Sequence, residues 1–510
     1  MQDGPREDAY DVVVIGSGIG GLSAGSLLAK EGQKVLVVEQ GEGPGGYAHS
    51  FKRGVYTFDP GISVFPQGHD HALPVAVLDY LGTRDRCRFV ELESNYRAVF
   101  PDFEIETPFG LDEFIEAHAR AFPNEAKNID AFFRLCRTMH KQAHELPPQL
   151  GLGALDEAAK RFPTLFKYIN ATTQEALDEH FQDDRLKAVA SVSWPYLGLP
   201  PSRLSYLTFS TVLSVYLEGC FYPEGGFQSL ANALAEGMQH HGGELVLNTR
   251  ATRIVVEDGH VAGVQFGDDG QEVRCRRVVS NADAAGTFEE LVGEDQLPAA
   301  FVKKLRRMKP SVSAVIVFVA TNLDLRAHGA VHEVFRPLHF DHDQTYEDML
   351  QGKPGGMFGT VPTLASPSLA PEGEHLLIVH SLAAYDIGRP WPGEVERYTD
   401  EVMTAFEQVF PGLRDSITFL ETATPLALER HSRNQRGAAY GWENTPAQTG
   451  GKRSPHVTPL DGLFLSGHWT QPGSGSLRAL VSGVHTAQMV LSSLGEPGIA
   501  LDHPDLPPAG

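Results

Sequence analysis

The chain has 510 residues, 42% of them hydrophobic, enough for two or three structural units with packed cores. Its 42 Lys and Arg against 65 Asp and Glu leave a formal net charge of -23, which argues against nucleic acid as a partner and against attraction to anionic lipid. The four cysteines, Cys87, Cys136, Cys220 and Cys275, are far apart and form no CxxC pair, so neither a metal site nor a disulfide framework is expected, and reduced thiols in a cytoplasmic protein are the default.

Residues 1–8 are polar and acidic, unlike a signal peptide. Val12-Val13-Val14-Ile15 is too short and too β-branched for a helix and is bounded by glycine, which predicts a strand. In Gly16-Ser17-Gly18-Ile19-Gly20-Gly21, the residues Gly16, Gly18 and Gly21 fill the pattern G-x-G-x-x-G. Gly16 permits a tight turn, Gly18 lets a pyrophosphate approach the backbone, and Gly21 lets the helix lie close on the strand. The helix from about Gly20 to Lys30, with Gly32 as its cap, points its free N–H groups at that pyrophosphate. A second strand, Lys34 to Val38, ends in Glu39 and Gln40, near the offset of ~20 residues at which an acid accepts ribose hydroxyls. Glycine turns are common, and an ordinary βαβ turn is the alternative; the strand before, the helix after and the acid make this a dinucleotide site.

Gly45-Gly46-Tyr47-Ala48-His49-Ser50-Phe51, followed by Tyr56-Thr57-Phe58-Asp59-Pro60-Gly61-Ile62-Ser63, resembles the second signature of the phytoene desaturase, carotenoid isomerase and retinol saturase group of flavoproteins. The resemblance implies FAD as cofactor and adds Gly45, Gly46, Tyr47, Ala48 and Ile62 to its site. It implies an α/β (mixed α+β) fold, in which a Rossmann-type FAD-binding domain with a discontinuous chain carries a substrate domain with a second sheet and an inserted helical lid. The FAD-binding domain would take residues 9–80, 222–300 and 430–494, and the substrate domain 81–221 and 301–429. Residues 495–510, rich in proline, are expected to be a disordered tail.

A short helix near Pro74 to Leu81 and strands near Phe89 and Ala98 precede a helical stretch from Asp112 to about Glu218, with loops at Pro147-Pro148 and Pro200-Pro201. Within it, Leu204 to Leu217 is uncharged but falls short of the ~18 apolar residues that suggest a membrane span. It reads as a core or interface helix, or else as the wall of a lipid-substrate tunnel or a shallow peripheral membrane contact. Tyr222 to Gln228 leads into a helix on which Phe227, Leu230, Leu234 and Met238 share a face. Strands follow near Leu245 to Leu247, Ile254 to Val256 and Val261 to Phe266, with turns at Asp258-Gly259 and Asp269-Gly270, and then Arg277-Val278-Val279. The resemblance places Ala251 beside the adenine and Asn281 beside the pyrophosphate. Apolar strands at Val312 to Val319 and Leu376 to Ser381, with a helix from Glu394 to Phe410, predict the second sheet.

Gly462 to Gly467 reads as a strand ending in a glycine turn, and Gln471 to Ser476 leads into a helix through Leu491. The stretch resembles the group's final flavin motif, which implies contacts from Gly467, His468, Gly475, Ser476 and Leu477, with the helix start facing the pyrimidine edge of the flavin. Many members of the group have Asp where this chain has His468; the imidazole is read as a phosphate contact, a proton donor near the ring, or a structural histidine. The segment Arg436 to Glu443 resembles the loop before that motif, and its aromatics are candidates for the floor of a polyene site.

The resemblance implies chemistry at flavin N5 on a lipophilic substrate, with no protein nucleophile. Desaturation or saturation of a conjugated polyene or carotenoid-like molecule is favoured. The alternatives are redox-neutral cis–trans isomerisation on reduced flavin, flavin amine oxidation, and a non-enzymatic prenyl-binding protein of the GDP dissociation inhibitor type.

Overall fold

A computed structural model describes residues 5, 7–146, 155–267, 270–501 and 503. The loop expected at Pro147-Pro148, Asp269 of the expected turn, most of the N-terminal eight residues and the end of the proline-rich tail lie outside the described residues.

Two seven-stranded sheets organise the chain. In the first, the strands run in the order Glu244–Val246, Val35–Val38, Ala9–Ile15, Gln271–Ser280, His260–Phe266, Ala251–Glu257. Val12, Val13, Val14 and all of Val35–Val38 are buried, the continuous apolar run expected of parallel strands covered on both faces. Gln271–Ser280 does two jobs. Its residues Arg274–Ser280 run parallel to Ala9–Ile15, but on its other edge Gln271–Arg274 pair antiparallel with His260–Phe266, and Val278–Ser280 pair parallel with Leu463–Leu465. The meander expected after residue 250 is thereby joined to the parallel core. The strand expected near Leu245 stands apart from the meander, at the opposite edge beside Val35–Val38.

The helix Ile19–Lys30 is buried on nearly all sides, so it shows no polar face. It packs against the helix Gln228–His240 and against the last helix, Ser476–Leu494. Small residues set that second contact: a Cβ on Gly483 would lie 2.4 Å from the Gly20 carbonyl oxygen and 2.6 Å from Ser23 Cβ. The end of the chain is thus held against its beginning, which explains how a motif near residue 467 reaches the first turn.

In the second sheet the order is Ile417–Ala423, Ser313–Thr321, His375–Ala383, Gly355–Thr360, Glu333–Phe335, Tyr96–Val99, Glu104–Thr107. All of its pairs are antiparallel except Glu333–Phe335 with Tyr96–Val99. Every residue of Ser313–Thr321 is buried, because each face of the strand has its own cover. Val315, Val317 and Val319 lie under the helix Val395–Glu407, whereas Ala314, Ile316, Phe318 and Ala320 face the core built around the first helix. Phe51 and Phe58 meet Phe318 at ring distances of 5.0 and 5.4 Å, tying the two bodies together.

Helices between Leu111 and Tyr216 form a separate core that closes on the second sheet through Trp194, Phe335 and Phe358. The uncharged run expected as one helix is the helix Tyr206–Tyr216, with Tyr206, Phe209 and Leu213 in that core. Among the described residues no helix is long and apolar enough to cross a membrane. The disorder expected from residue 495 does not hold up to residue 501: Ile499 is buried and its N–H donates to Gln488 at 2.9 Å.

Replacing Gly483 by Val must move two helices apart. We expect Gly483→Val to lower stability by roughly 1–3 kcal/mol, the usual cost of overpacking, while Gly393→Ala, at a site with no neighbour within 4 Å, leaves it unchanged. Denaturant midpoints of the two variants check this.

Candidate functional site

A cavity of about 820 Å³ opens at the carboxyl ends of the parallel strands, where open α/β sheets bind their ligands. Four strands deliver residues to it: Ile15 and Gly16, Val38 to Gln40, Asn281 and Ala282, and Gly467 and His468. Gly16 adopts φ +91°, which only glycine adopts freely, and its N–H donates to the Val38 carbonyl at 2.9 Å. The glycine loops are stacked on one another. The Gly45 N–H donates to the Ser17 carbonyl at 2.8 Å, and a Cβ on Gly46 would lie 3.1 Å from Gly18 Cα.

Asn281 sits where three loops meet. Its Nδ2 donates to the Ser466 carbonyl at 3.0 Å, a Cβ on Gly18 would lie 2.6 Å from its Oδ1, and a Cβ on Gly467 would lie 2.2 Å from its Nδ2. The backbone of the first turn therefore stays bare toward the cavity because no side chain fits there.

Of the residues singled out in the sequence, Gly16, Gly18, Ile19, Gly20, Glu39, Gln40, Gly45, Gly46, Tyr47, Ala48, Ile62, Ala251, Asn281, Gly467, His468, Gly475 and Ser476 line this cavity. Ser17, Gly21 and Leu477 do not. Ser17 is buried behind the loop, where its N–H and hydroxyl donate to Glu39 Oε2 at 2.8 and 2.7 Å, so it orients the acid. Gly21 faces the strand, with its Cβ position only 2.1 Å from the Gly16 carbonyl oxygen. Leu477 packs on the core.

His468 lines the cavity with a buried Nε2 that has no hydrogen-bond partner, 5.9 Å from the Tyr47 ring. Burial, with Arg453 nearby, pushes its pKa down to about 3. The ring is neutral at physiological pH, so it offers no positive charge to a phosphate.

Sequence reasoning missed two buried supports. Arg453 donates to the carbonyls of Thr470, Trp442, Tyr440 and His468, at 2.6 to 3.3 Å, and so fixes the loop after the last strand. Burial pushes its pKa down to about 9. Asp59, within the quoted signature, accepts from the Ser50 and Tyr222 hydroxyls and from the Phe227 N–H at 3.2 Å. A Cβ on Gly226 would lie 3.1 Å from this carboxylate, which accounts for the glycine at 226.

The far part of the cavity is walled by Tyr196, Tyr216, Phe358 and Tyr440 with Ile62 and Val64. Tyr440 belongs to the aromatic loop noted in the sequence, and its hydroxyl donates to the Pro195 carbonyl at 2.7 Å. Trp442 of that loop packs on Trp469 instead. Tyr216 makes the uncharged helix a cavity wall as well as a core element. Nothing in the local pattern around Tyr196 or Phe358 marks them.

A Rossmann-type sheet with bare glycine backbone at its carboxyl edge, an acid held at the end of the second strand and an aromatic annex defines a dinucleotide-binding flavoprotein. Residues 19–491 match the profile of the flavin-containing amine oxidoreductases, and the chain belongs to that family. Its cofactor is FAD.

Prolycopene isomerase 2 from an Oncidium hybrid cultivar is 28% identical, over 96% of this chain and 85% of the relative. The neurosporene-forming phytoene desaturase of Rhodobacter capsulatus is 28% identical over 94% and 93%, and the all-trans-retinol 13,14-reductase of Danio rerio 25% over 90% and 82%. Among solved structures, a putrescine oxidase shares the fold at TM-score 0.65 and 14% identity, covering 95% of this chain and 99% of its own. An oxidoreductase from Methanosarcina mazei does so at TM-score 0.63 and 18% identity, covering 95% and 100%. The chain is an FAD-dependent oxidoreductase of the sequence group that includes these isomerases, desaturases and reductases.

Gly18→Val places a branched side chain between the cavity and Asn281. We expect the variant to lose bound flavin and the stabilisation that comes with it, about 4 kcal/mol for a ligand at a thousand times its dissociation constant. Flavin absorbance per chain and the melting temperature with and without added FAD check this.

Proposed function

We propose that the protein transfers hydride between FAD and a C–C or C=C bond of a lipophilic, conjugated polyene or carotenoid-like substrate, in the desaturating or the saturating direction. The observation that carries this reading is the continuity of the cavity, from bare glycine backbone at one end to the aromatic annex of Tyr196, Tyr216, Phe358 and Tyr440 at the other. The relatives named above, whose names describe a carotenoid isomerase, a carotenoid desaturase and a retinoid reductase, support the substrate class.

In this reading Glu39, oriented by Ser17, takes the ribose of the adenosine half, and the backbone at Gly16, Gly18 and Gly46 takes the pyrophosphate. Ala251 flanks the adenine, while Tyr47, Gly467, Gly475 and Ser476 border the flavin. Bound FAD supplies the hydride acceptor or donor at N5. The protein's share is to hold a rod-like apolar substrate against it and keep water out, and flat aromatic rings suit a conjugated chain. Redox-neutral isomerisation on reduced flavin is the second reading, favoured by the prolycopene isomerase likeness over 96% of the chain.

The test is anaerobic incubation with a panel of carotenoids and retinoids, once with oxidised and once with reduced FAD, following flavin absorbance and product mass together. Flavin bleaching with loss of two hydrogens from the substrate marks desaturation, and reoxidation with a gain of two marks saturation. Unchanged mass with a shifted polyene spectrum marks isomerisation. Turnover of amines but of no polyene would overturn the proposal.

A further inference from the structure

The aromatic annex contains an acid that the reading above does not use. Glu333 lies on an interior strand of the second sheet, 1% exposed, directly across from Thr360. Residues two apart on a strand share a face, so Glu333 and Phe335 look the same way, as do their partners Thr360 and Phe358. Tyr196 lies over this face, its ring 4.9 Å from both Phe335 and Phe358. Its hydroxyl oxygen and Glu333 Oε2 are hydrogen-bonded at 2.5 Å, a pair in which a protonated carboxyl can be the donor. Thr360 and Ser63 turn their hydroxyls toward the same carboxyl, but neither Glu333 Oε1 nor Thr360 Oγ1 is in a well-formed hydrogen bond.

The ionisable groups around this carboxyl are Tyr196, His332, Tyr216, Cys220 and Tyr222. None is a cation at neutral pH; His332, whose Nε2 is 3.8 Å away, has its pKa pushed down to about 4 by burial. Burial raises the Glu333 pKa from 4.5 to about 8, so the group is a carboxylic acid at neutral pH. A side chain that only filled this space would do so at less cost if it were apolar. Tyr196 and Ser63, whose hydroxyls face Glu333, both line the cavity.

We infer that Tyr196 is the proton donor to the substrate and that Glu333, behind it, is the positioning residue that resupplies the proton. The inference rests on the reading of the site as one that works on C=C bonds. In the saturating direction, hydride from reduced flavin forms a C–H bond at one carbon of the double bond. The π electrons form the second C–H bond with the Tyr196 proton at the neighbouring carbon, as the phenolic O–H breaks. In the same step the carboxyl proton of Glu333 passes to the phenolic oxygen, so that no free phenolate forms and reoxidation requires the protonated acid; the resulting carboxylate afterwards recovers a proton from water.

Wild type, Tyr196→Phe and Glu333→Gln holoenzymes, with flavin reduced anaerobically, are mixed with the polyene and retinoid panel between roughly pH 6 and 9, a window spanning the Glu333 titration. Flavin reoxidation is followed in a single turnover, and product mass is read in deuterated water. We expect wild type to slow as pH rises through about 8. Tyr196→Phe should be slower by roughly 10²-fold or more, the usual share of a general acid, with full flavin content. Glu333→Gln should lose the pH dependence.

The flavin-free proteins give a separate readout. A carboxyl whose pKa is higher in the folded state stabilises the fold below its unfolded value and loses that contribution as pH rises to the folded one. Wild type should therefore lose melting temperature between about 4.5 and 8 by a slope that Glu333→Gln lacks. Reoxidation of Tyr196→Phe at the wild-type rate, or a pH profile unaltered in Glu333→Gln, overturns the assignment alone. Failure of the wild type to reduce any polyene overturns the assignment alone where oxidised flavin still desaturates one, and overturns it together with the reading beneath it where no polyene reacts with either form of the flavin.

Discussion

The close backbone contact of the first helix with its surroundings is the constraint on which the other features depend. Gly21 lies against the first turn, Gly20 against Gly467, and Gly483 against the Gly20 carbonyl. At each of these contacts a Cβ would fall within 3 Å of another backbone. These contacts draw the last strand and the last helix onto the first βαβ unit, so that loops more than four hundred residues apart border one cavity. They also leave the N-terminus of the first helix uncovered by side chains, the condition for a diphosphate to reach its N–H groups.

A second set of contacts relates this body to the other sheet. Asp59 accepts hydrogen bonds from Ser50, Tyr222 and Phe227, joining the signature after the first βαβ unit to the point where the chain returns from the helices. Burial raises its pKa to about 6, so desolvation is only partly offset by those donors. The residue just before it, Phe58, packs on Phe318 of the second sheet. One short segment therefore holds both the Gly45-Gly46 loop and the sheet that carries the aromatic annex.

The first βαβ unit was legible because each of its signals is local: β-branched runs, glycine spacing and an acid at a set offset. The same holds for the elements placed near Val312, Leu376 and Gly462. What was illegible depends on the fold as a whole. Ser17 and Leu477 sit in motifs that border the cavity, yet their side chains turn away from it, a difference of orientation that spacing does not encode. Arg453 and Glu333 occur in stretches without a motif, and their importance comes from burial among carbonyls or aromatic rings from distant segments. The disorder expected after residue 495 was a compositional reading, and Ile499 escapes it by finding an apolar pocket on the core around the first helix.

The electrostatics of the annex bear on the choice among substrates. His468, His332 and His380 have pKa values pushed down to between about 3 and 4 by burial, and Glu333 has one raised to about 8. Each is uncharged at neutral pH, as are the tyrosines beside them, whose pKa values burial raises. An alkylammonium substrate entering this part of the cavity would surrender its hydration and meet no anion in return, a cost of several kcal/mol or a forced deprotonation. A hydrocarbon polyene has no hydration to lose and gains from leaving water. The apolar walls that hold these ionisable groups uncharged therefore favour a neutral conjugated chain over an ammonium, which supports the function proposed above.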